Sequence, residues 1–116
     1  RQPLTDATRG LLNTSLFNKL PRGASLIQTG RGPHLNQDDL LAALERGQLQ
    51  NAILDVTDPE PLPQTHPLWT HPRVRITPHI ASETRPDSAV EVVLENLRRH
   101  REGLPMIGQI DRSRGY

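Results

Sequence analysis

Three short aliphatic runs, each cut off by glycine or proline, constrain this chain most. Residues 24–29 end at Gly30-Arg31-Gly32-Pro33. Residues 52–56 run into a stretch holding Pro59, Pro61, Pro63, Pro67 and Pro72, and residues 74–77 stop at Pro78. Runs of this length, rich in Leu, Ile and Val and sharply punctuated, read as short buried strands. Helical patterns alternate with them. Leu12, Leu16, Phe17 and Leu20 recur at helical spacing, with Asn13 as N-cap and Pro21 as stop. A second helix starts near Asn36, carries Asp38 and Asp39 in its first turn, and is expected to bury Leu40, Leu41 and Leu44 before Arg46-Gly47 closes it. The longest is expected over residues 86–102, with Val90, Val93, Leu94 and Leu97 on its apolar face and Gly103 at its end. The proline density of residues 58–72 forbids regular structure there and predicts an ordered loop. Residues 104–116 are expected to be extended and polar.

This alternation implies parallel pairing through right-handed crossovers. A three-stranded, all-parallel sheet is rarely a complete domain, because its faces and edges need cover. Composition agrees. Of 116 residues 34% are hydrophobic and 8 are Gly, with only one Trp, one Tyr and one Phe; with glycine the apolar share is about 41%, a thin supply beside the about 45–50% of ordinary domains. The fold class is therefore α/β: about three short parallel strands with flanking helices, one half of an open doubly wound sheet. The chain also opens on Arg1 with no initiator Met, and is expected to be a piece of a longer polypeptide.

Charge excludes several functions. Fourteen basic residues face 13 acidic ones, and Lys19 is the sole lysine. Scattered arginines without interleaved aromatics give no nucleic-acid surface. The absence of cysteine excludes disulfides and thiol chemistry. No apolar run suits a membrane span, so a soluble, cytoplasmic protein is expected. His66, His71 and His79 are irregularly spaced, and no metal site is expected from them.

In open α/β sheets, ligands gather at the carboxyl ends of the strands. The first strand runs into Arg31, the second into Asp55 and then Glu60, and the third into Pro78-His79. Taken singly, these are ordinary turn, loop and strand-end residues. Together they put an Arg, two acids and a His on one rim.

Four blocks in this order resemble the C-terminal half of the D-isomer-specific 2-hydroxyacid dehydrogenases. They are Leu26-Ile27-Gln28-Thr29-Gly30-Arg31-Gly32, Asp38-Asp39-Leu40-Leu41-Ala42-Ala43-Leu44, Leu54-Asp55-Val56-Thr57-Asp58-Pro59-Glu60-Pro61 and Thr77-Pro78-His79-Ile80-Ala81-Ser82. The tail Asp111-Arg112-Ser113-Arg114-Gly115-Tyr116, with Pro67-Leu68-Trp69, narrows the resemblance to the bacterial branch that reduces glyoxylate and hydroxypyruvate.

The resemblance implies a Rossmann-like fold and a division of roles. Residues 1–103 would be the C-terminal part of an NAD(P)-binding domain, and residues 104–116 a tail packing on a separate substrate domain. Arg31 would grip the substrate carboxylate, because a guanidinium matches its paired oxygens. His79 would donate a proton to the 2-oxo group, and Glu60 would orient the ring and favour its protonated form. Cofactor contacts would come from Gln2, Pro3, Leu4 and Thr8, from Thr29, Gly30 and Arg31, from Asp55 at the nicotinamide carboxamide, and from His79, Ala81 and Ser82. The expected cofactor is NADP(H), with NAD(H) possible; the partner is a small 2-oxo acid, and the complete protein is expected to be a homodimer.

The chain departs from the family in one respect. The Gly-rich G-x-G-x-x-G loop is absent; Gly30-Arg31-Gly32 is followed by Pro33 and His34 and opens no helix able to take a pyrophosphate. Alone, these residues are expected not to turn over. A non-enzymatic dinucleotide-binding relative is the alternative, but such a module needs neither an acid nor its orienter. An autonomous interaction module fits poorly with the thin core. Trp69 is expected to pack on the sheet edge, while Arg85 and Tyr116 are given no role.

Overall fold

The aliphatic runs form β1 (Ala24–Gln28), β2 (Leu49–Leu54) and β3 (Val74–Ile76), all parallel and ordered β1-β2-β3. In this computed structural model, residues 3–82 and 85–113 are described, and the chain divides into two compact units, Arg1–Ala81 and Ser82–Tyr116. The first contains the sheet, together with α1 (Thr14–Phe17) and α2 (Gln37–Glu45). The second is built on α3 (Pro86–Arg101).

In the first unit the core lies on one face of the sheet. Phe17, Leu40, Ala43, Leu44, Leu49, Ala52 and Leu54 are buried there, joined by Leu35, Leu62 and Leu68. Each fully buried Leu contributes about 1.5–3 kcal/mol relative to an exposed one. α2 brings Leu40 and Leu44 to this core as expected, whereas Leu41 is only partly buried. Asn36 caps the helix, its side chain accepting from the Asp39 amide at 3.0 Å. At the other end the Leu44 carbonyl accepts from the Gly47 amide at 3.1 Å and from the Arg73 guanidinium at 2.5 Å.

The sheet's opposite face is bare. Ser25, Ile27, Asn51, Ile53 and Arg75 are exposed on it, Ile27 to 67%. The strands are therefore half-buried, not buried on both faces. The composition is thin because one face has no partner within this unit.

Two elements begin elsewhere than their patterns imply. Leu12 does not open α1. Its amide donates to the His34 carbonyl at 2.9 Å and its carbonyl accepts from Asn36 at 3.0 Å, an isolated parallel bridge with Leu35. The helix is thus confined to one turn, capped by Asn13, and Leu20 falls outside it. β2 starts at Leu49, because that side chain is fully buried and pairs with Ala24.

The proline-rich segment is held from several sides. Leu62 and Leu68 insert into the core, Gln37 pairs with both backbone groups of Asp58 at 2.8 and 3.1 Å, and the Trp69 indole donates to the Pro63 carbonyl at 3.0 Å.

In the second unit, α3 has the expected bounds, but none of its residues is buried. Val90, Val93, Leu94 and Leu97 are each more than half exposed. Ion pairs along the helix support it: Glu95 meets Arg98 at 2.9 Å and Arg99 at 2.7 Å, and Arg98 also reaches Glu102. Arg98, then Arg99, pulls the Glu95 carboxyl down to about 2. The segment after Gly103 is neither simply extended nor wholly polar. Ile107 exchanges two hydrogen bonds with the Asn96 side chain, at 2.7 and 3.1 Å, and Leu104, Met106, Ile107 and Ile110 are exposed. No helix among the described residues is long and apolar enough to cross a membrane.

Candidate active site

The second and third strands deliver Asp55 and His79 to one cavity of about 420 Å³. Thr57, Glu60, Trp69 and Thr77 also line it. Its walls are largely apolar, from Pro61, Leu62, Ile76 and Pro78. The polar groups of Asp55, Glu60 and His79 therefore stand beside hydrocarbon at one end of the sheet.

His79 has φ 56°, the only positive φ outside glycine among the described residues. A non-glycine residue held in this region costs of order 1 kcal/mol and needs surrounding structure to hold it. Asp55 supplies that structure. Its buried carboxylate accepts from the Thr77 hydroxyl at 2.5 Å, the Ile80 amide at 2.9 Å and the Ala81 amide at 2.9 Å. One acid thus pins both sides of the His79 turn. The Thr77 hydroxyl is the largest cause holding the Asp55 carboxyl below its usual 3.8. The Ala81 and Ile80 amides and the His79 charge add to it, while burial opposes them. A carboxylate has about four acceptor positions, so three internal donors leave Asp55 one position, on Oδ2, for a further donor.

Held this way, His79 places Nδ1 2.7 Å from Glu60 Oε1. Both side chains are a little under half exposed. With Nδ1 engaged by the carboxylate, Nε2 has no hydrogen-bond partner among the described residues.

The first strand supplies a second cavity of about 240 Å³, lined by Thr8, Leu11, Leu12, Ile27, Thr29 and Gly30, among others. Leu11, Leu12 and Ile27 offer apolar surface to an aromatic ring beside Thr29 and Gly30, so the residues present fit one end of a dinucleotide. Arg31 lines neither cavity. It is exposed, and its guanidinium donates to the Gly30 carbonyl at 2.9 Å. Its neighbour Gly32 joins the two regions: a Cβ there would stand 1.8 Å from the Thr57 carbonyl oxygen. The Arg31 turn therefore rests on the segment leading to Glu60, at a distance only glycine permits.

Pro3 accepts from the Thr8 hydroxyl at 2.8 Å, and Leu4 is partly buried. Ser82 is exposed and opens the second unit, where Arg85 precedes α3. Gln2 and Tyr116 lie outside the described residues. Trp69 is half exposed and faces the Glu60–His79 cavity. His66 and His71 accept from nearby amides of their own loop, and among the described residues no three His, Asp or Glu gather as metal ligands would.

Several positioning groups went unread in the sequence: Thr77, Gln37, Gln28 and His34. Gln28 and His34 are buried polar residues on either side of Arg31. Their signal was faint, a polar residue ending an apolar strand and a histidine just after Gly-Pro.

Glyoxylate/hydroxypyruvate reductase A of Salmonella choleraesuis is 48% identical over 114 residues, which is 98% of this chain and 36% of the reductase. A D-isomer specific 2-hydroxyacid dehydrogenase from Xanthobacter autotrophicus Py2, solved with NADPH and MES, superposes with a TM-score of 0.94 at 45% identity, over 99% of this chain and 48% of that one. The NADPH-dependent glyoxylate/hydroxypyruvate reductase of Sinorhizobium meliloti, solved with NADP and sulfate, gives a TM-score of 0.90 at 38% identity, over 99% of this chain and 38% of that one. The chain thus spans about a third of the curated relative's length. Residues 1–81 match the family described as D-isomer specific 2-hydroxyacid dehydrogenase, NAD binding domain, and the chain belongs to that family.

Proposed function

We propose that this chain forms the catalytic part of an oxidoreductase that reduces a small 2-oxo acid, glyoxylate or hydroxypyruvate, to the 2-hydroxy acid with NADPH, NADH being the second choice. The observation that carries the reading is the Glu60–His79 pair, held at 2.7 Å beside a largely apolar cavity at the strand ends. NADPH, when bound, supplies the hydride that reaches the carbonyl carbon. His79 gives the proton on Nε2 to the carbonyl oxygen, so that one hydride and one proton convert C=O to CH–OH. Glu60 accepts from Nδ1–H, fixes the plane of the ring and stabilises its charged form. Arg31 binds the substrate carboxylate through paired N–H donors, which a turn toward the cavity releases from the Gly30 carbonyl.

On the cofactor side, the residues assigned are Gln2, Pro3, Leu4, Thr8, Thr29, Gly30, Arg31, Asp55, His79, Ala81 and Ser82. The open acceptor position of Asp55 suits an amide donor such as the carboxamide. In this reading residues 1–103 belong to an NAD(P)-binding domain, residues 104–116 meet a substrate domain, and the whole protein acts as a homodimer.

The test is NADPH oxidation by the full-length protein offered glyoxylate and hydroxypyruvate, with His79→Gln as control. Turnover in the parent that is lost in the variant is the expected result. Tight cofactor binding without turnover on any 2-oxo acid would overturn the reading and leave a dinucleotide-binding regulator.

A further inference from the structure

We propose that His34 is a positioning residue that fixes Arg31 for carboxylate binding and ties it to the segment beginning at Pro3; the inference rests on the role proposed for Arg31. His34 is 6% exposed, yet both its ring nitrogens are engaged. Nδ1 accepts from the Arg31 amide at 3.3 Å. That acceptor role puts the ring proton on Nε2, which faces the Pro3 carbonyl at 3.3 Å.

The remaining backbone group of Arg31 is held as well. Its carbonyl accepts from the Gln28 side chain at 3.1 Å and from the His34 amide at 3.0 Å. Arg31 is thus clamped through its main chain by two buried side chains, while its exposed guanidinium is held only by the Gly30 carbonyl among the described residues.

The clamp is joined to the first segment at three further points. Gly10 donates to the Pro33 carbonyl at 2.9 Å, Leu12 donates to the His34 carbonyl at 2.9 Å, and Asn36 donates to the Leu12 carbonyl at 3.0 Å. The space around the ring is tight: a Cβ at Gly30 would stand 2.8 Å from His34 Nδ1. A buried imidazole with two satisfied nitrogens is more than filler, because an apolar residue of similar size would orphan the Arg31 amide. His34 therefore links the loop that supplies Pro3 and Thr8 to the turn that presents the guanidinium.

The experiment is steady-state kinetics of the full-length protein carrying His34→Leu or His34→Asn. Asparagine keeps an acceptor oxygen near the place of Nδ1 but cannot reach Pro3. With Leu, KM for glyoxylate should rise about 10- to 100-fold while kcat changes less than about threefold, since a displaced grip acts on substrate placement. With Asn, KM should return to within about threefold of the parent. An unchanged KM in the Leu variant, or equal damage by Leu and Asn in folded proteins, would overturn the proposal.

Should His34→Leu fail to fold, Gln28→Leu removes the other buried side chain holding the Arg31 backbone and should reproduce the selective rise in KM; an unaltered KM there counts against the clamp. A parent protein without turnover would refute the proposed function instead. Oxalate affinity, measured by titration calorimetry, then decides for His34: weakening by Leu with recovery by Asn upholds the clamp, and any other pattern rejects it.

Discussion

Glu60 and His79 stand 19 residues apart in sequence, yet Oε1 and Nδ1 meet at 2.7 Å. Neither side chain is deeply buried, so the contact depends on the backbone that presents each partner. Exposed ion pairs contribute about 0–1 kcal/mol, too little to organise the surrounding loops. Pro59 and Pro61 restrict the Glu60 backbone, and Asp55 restrains the turn carrying His79. The pair is therefore a product of the fold that presents it and adds little to stability.

Replacing Glu60 by Gln keeps the size of the side chain and removes its charge. kcat for the 2-oxo acid should fall about 10- to 100-fold, with NADPH affinity within about threefold of the parent. His79→Gln should cost about 10²–10⁴-fold in kcat. Steady-state rates alongside a fluorescence titration of NADPH separate the two effects, and a Glu60→Gln enzyme as fast as the parent would remove Glu60 from the mechanism.

Asp55 predicts a pH dependence. Its carboxyl is held below the usual 3.8, chiefly by Thr77. A depressed carboxyl stabilises the fold at pH values above its unfolded value, and that contribution is lost as pH falls through the lower folded value. Amide exchange protection at Ile80 and Ala81, corrected for intrinsic rates, should therefore hold from pH 7 to 4.5 and fail only in stronger acid. Asp55→Asn should lose it at one of the two amides already at pH 7, because its single oxygen can serve one side while the amide nitrogen faces the other backbone N–H. Equal protection in the two proteins at pH 7 would count against the pinning role.

The strands were legible because Gly and Pro mark their ends, and the rim residues because they directly follow those ends. Asn13 announced the N-cap of α1, and the start of α2 was read near Asn36. What local pattern could not supply was the competition between segments. Leu12 fits a helix by spacing, but its amide and carbonyl are claimed by the turn at His34–Asn36. Exposure was equally hidden, since Ile27 and Ile53 resemble core residues wherever they are read, and only the one-sided packing of α1 and α2 shows that their face is bare. At the site, the Arg31, Glu60 and His79 roles came from family resemblance. The pinning of the His79 turn by Asp55 required a long-range geometry that no spacing encodes.

Gly32 offers a test of how closely the Arg31 turn must sit. A Cβ 1.8 Å from the Thr57 carbonyl oxygen cannot be accommodated without moving backbone. Gly32→Ala should cost about 1–3 kcal/mol in a denaturant titration and raise KM for the 2-oxo acid. Gly10→Ala is the control. Its φ is +64° with nothing near the added atom, so it should cost only about 1 kcal/mol of backbone strain. Similar losses for both variants would mean that the Thr57 contact relaxes easily.

Arg31→Lys separates charge from shape. Both side chains are cationic, but only the guanidinium offers paired, coplanar donors to a carboxylate. In this structure Arg31 is exposed, and its one side-chain hydrogen bond among the described residues goes to the Gly30 carbonyl, so the fold loses little when it is replaced. Thermal stability should stay within about 0.5 kcal/mol, as for other surface changes. kcat/KM should nevertheless fall about 10²-fold, the loss expected when a substrate is misplaced by about 1 Å. A 2-oxo acid whose carboxylate is esterified should react equally slowly with both proteins, because it cannot use the paired donors. If Arg31→Lys left kcat/KM for the free acid intact, the carboxylate grip would have to be assigned to a different residue.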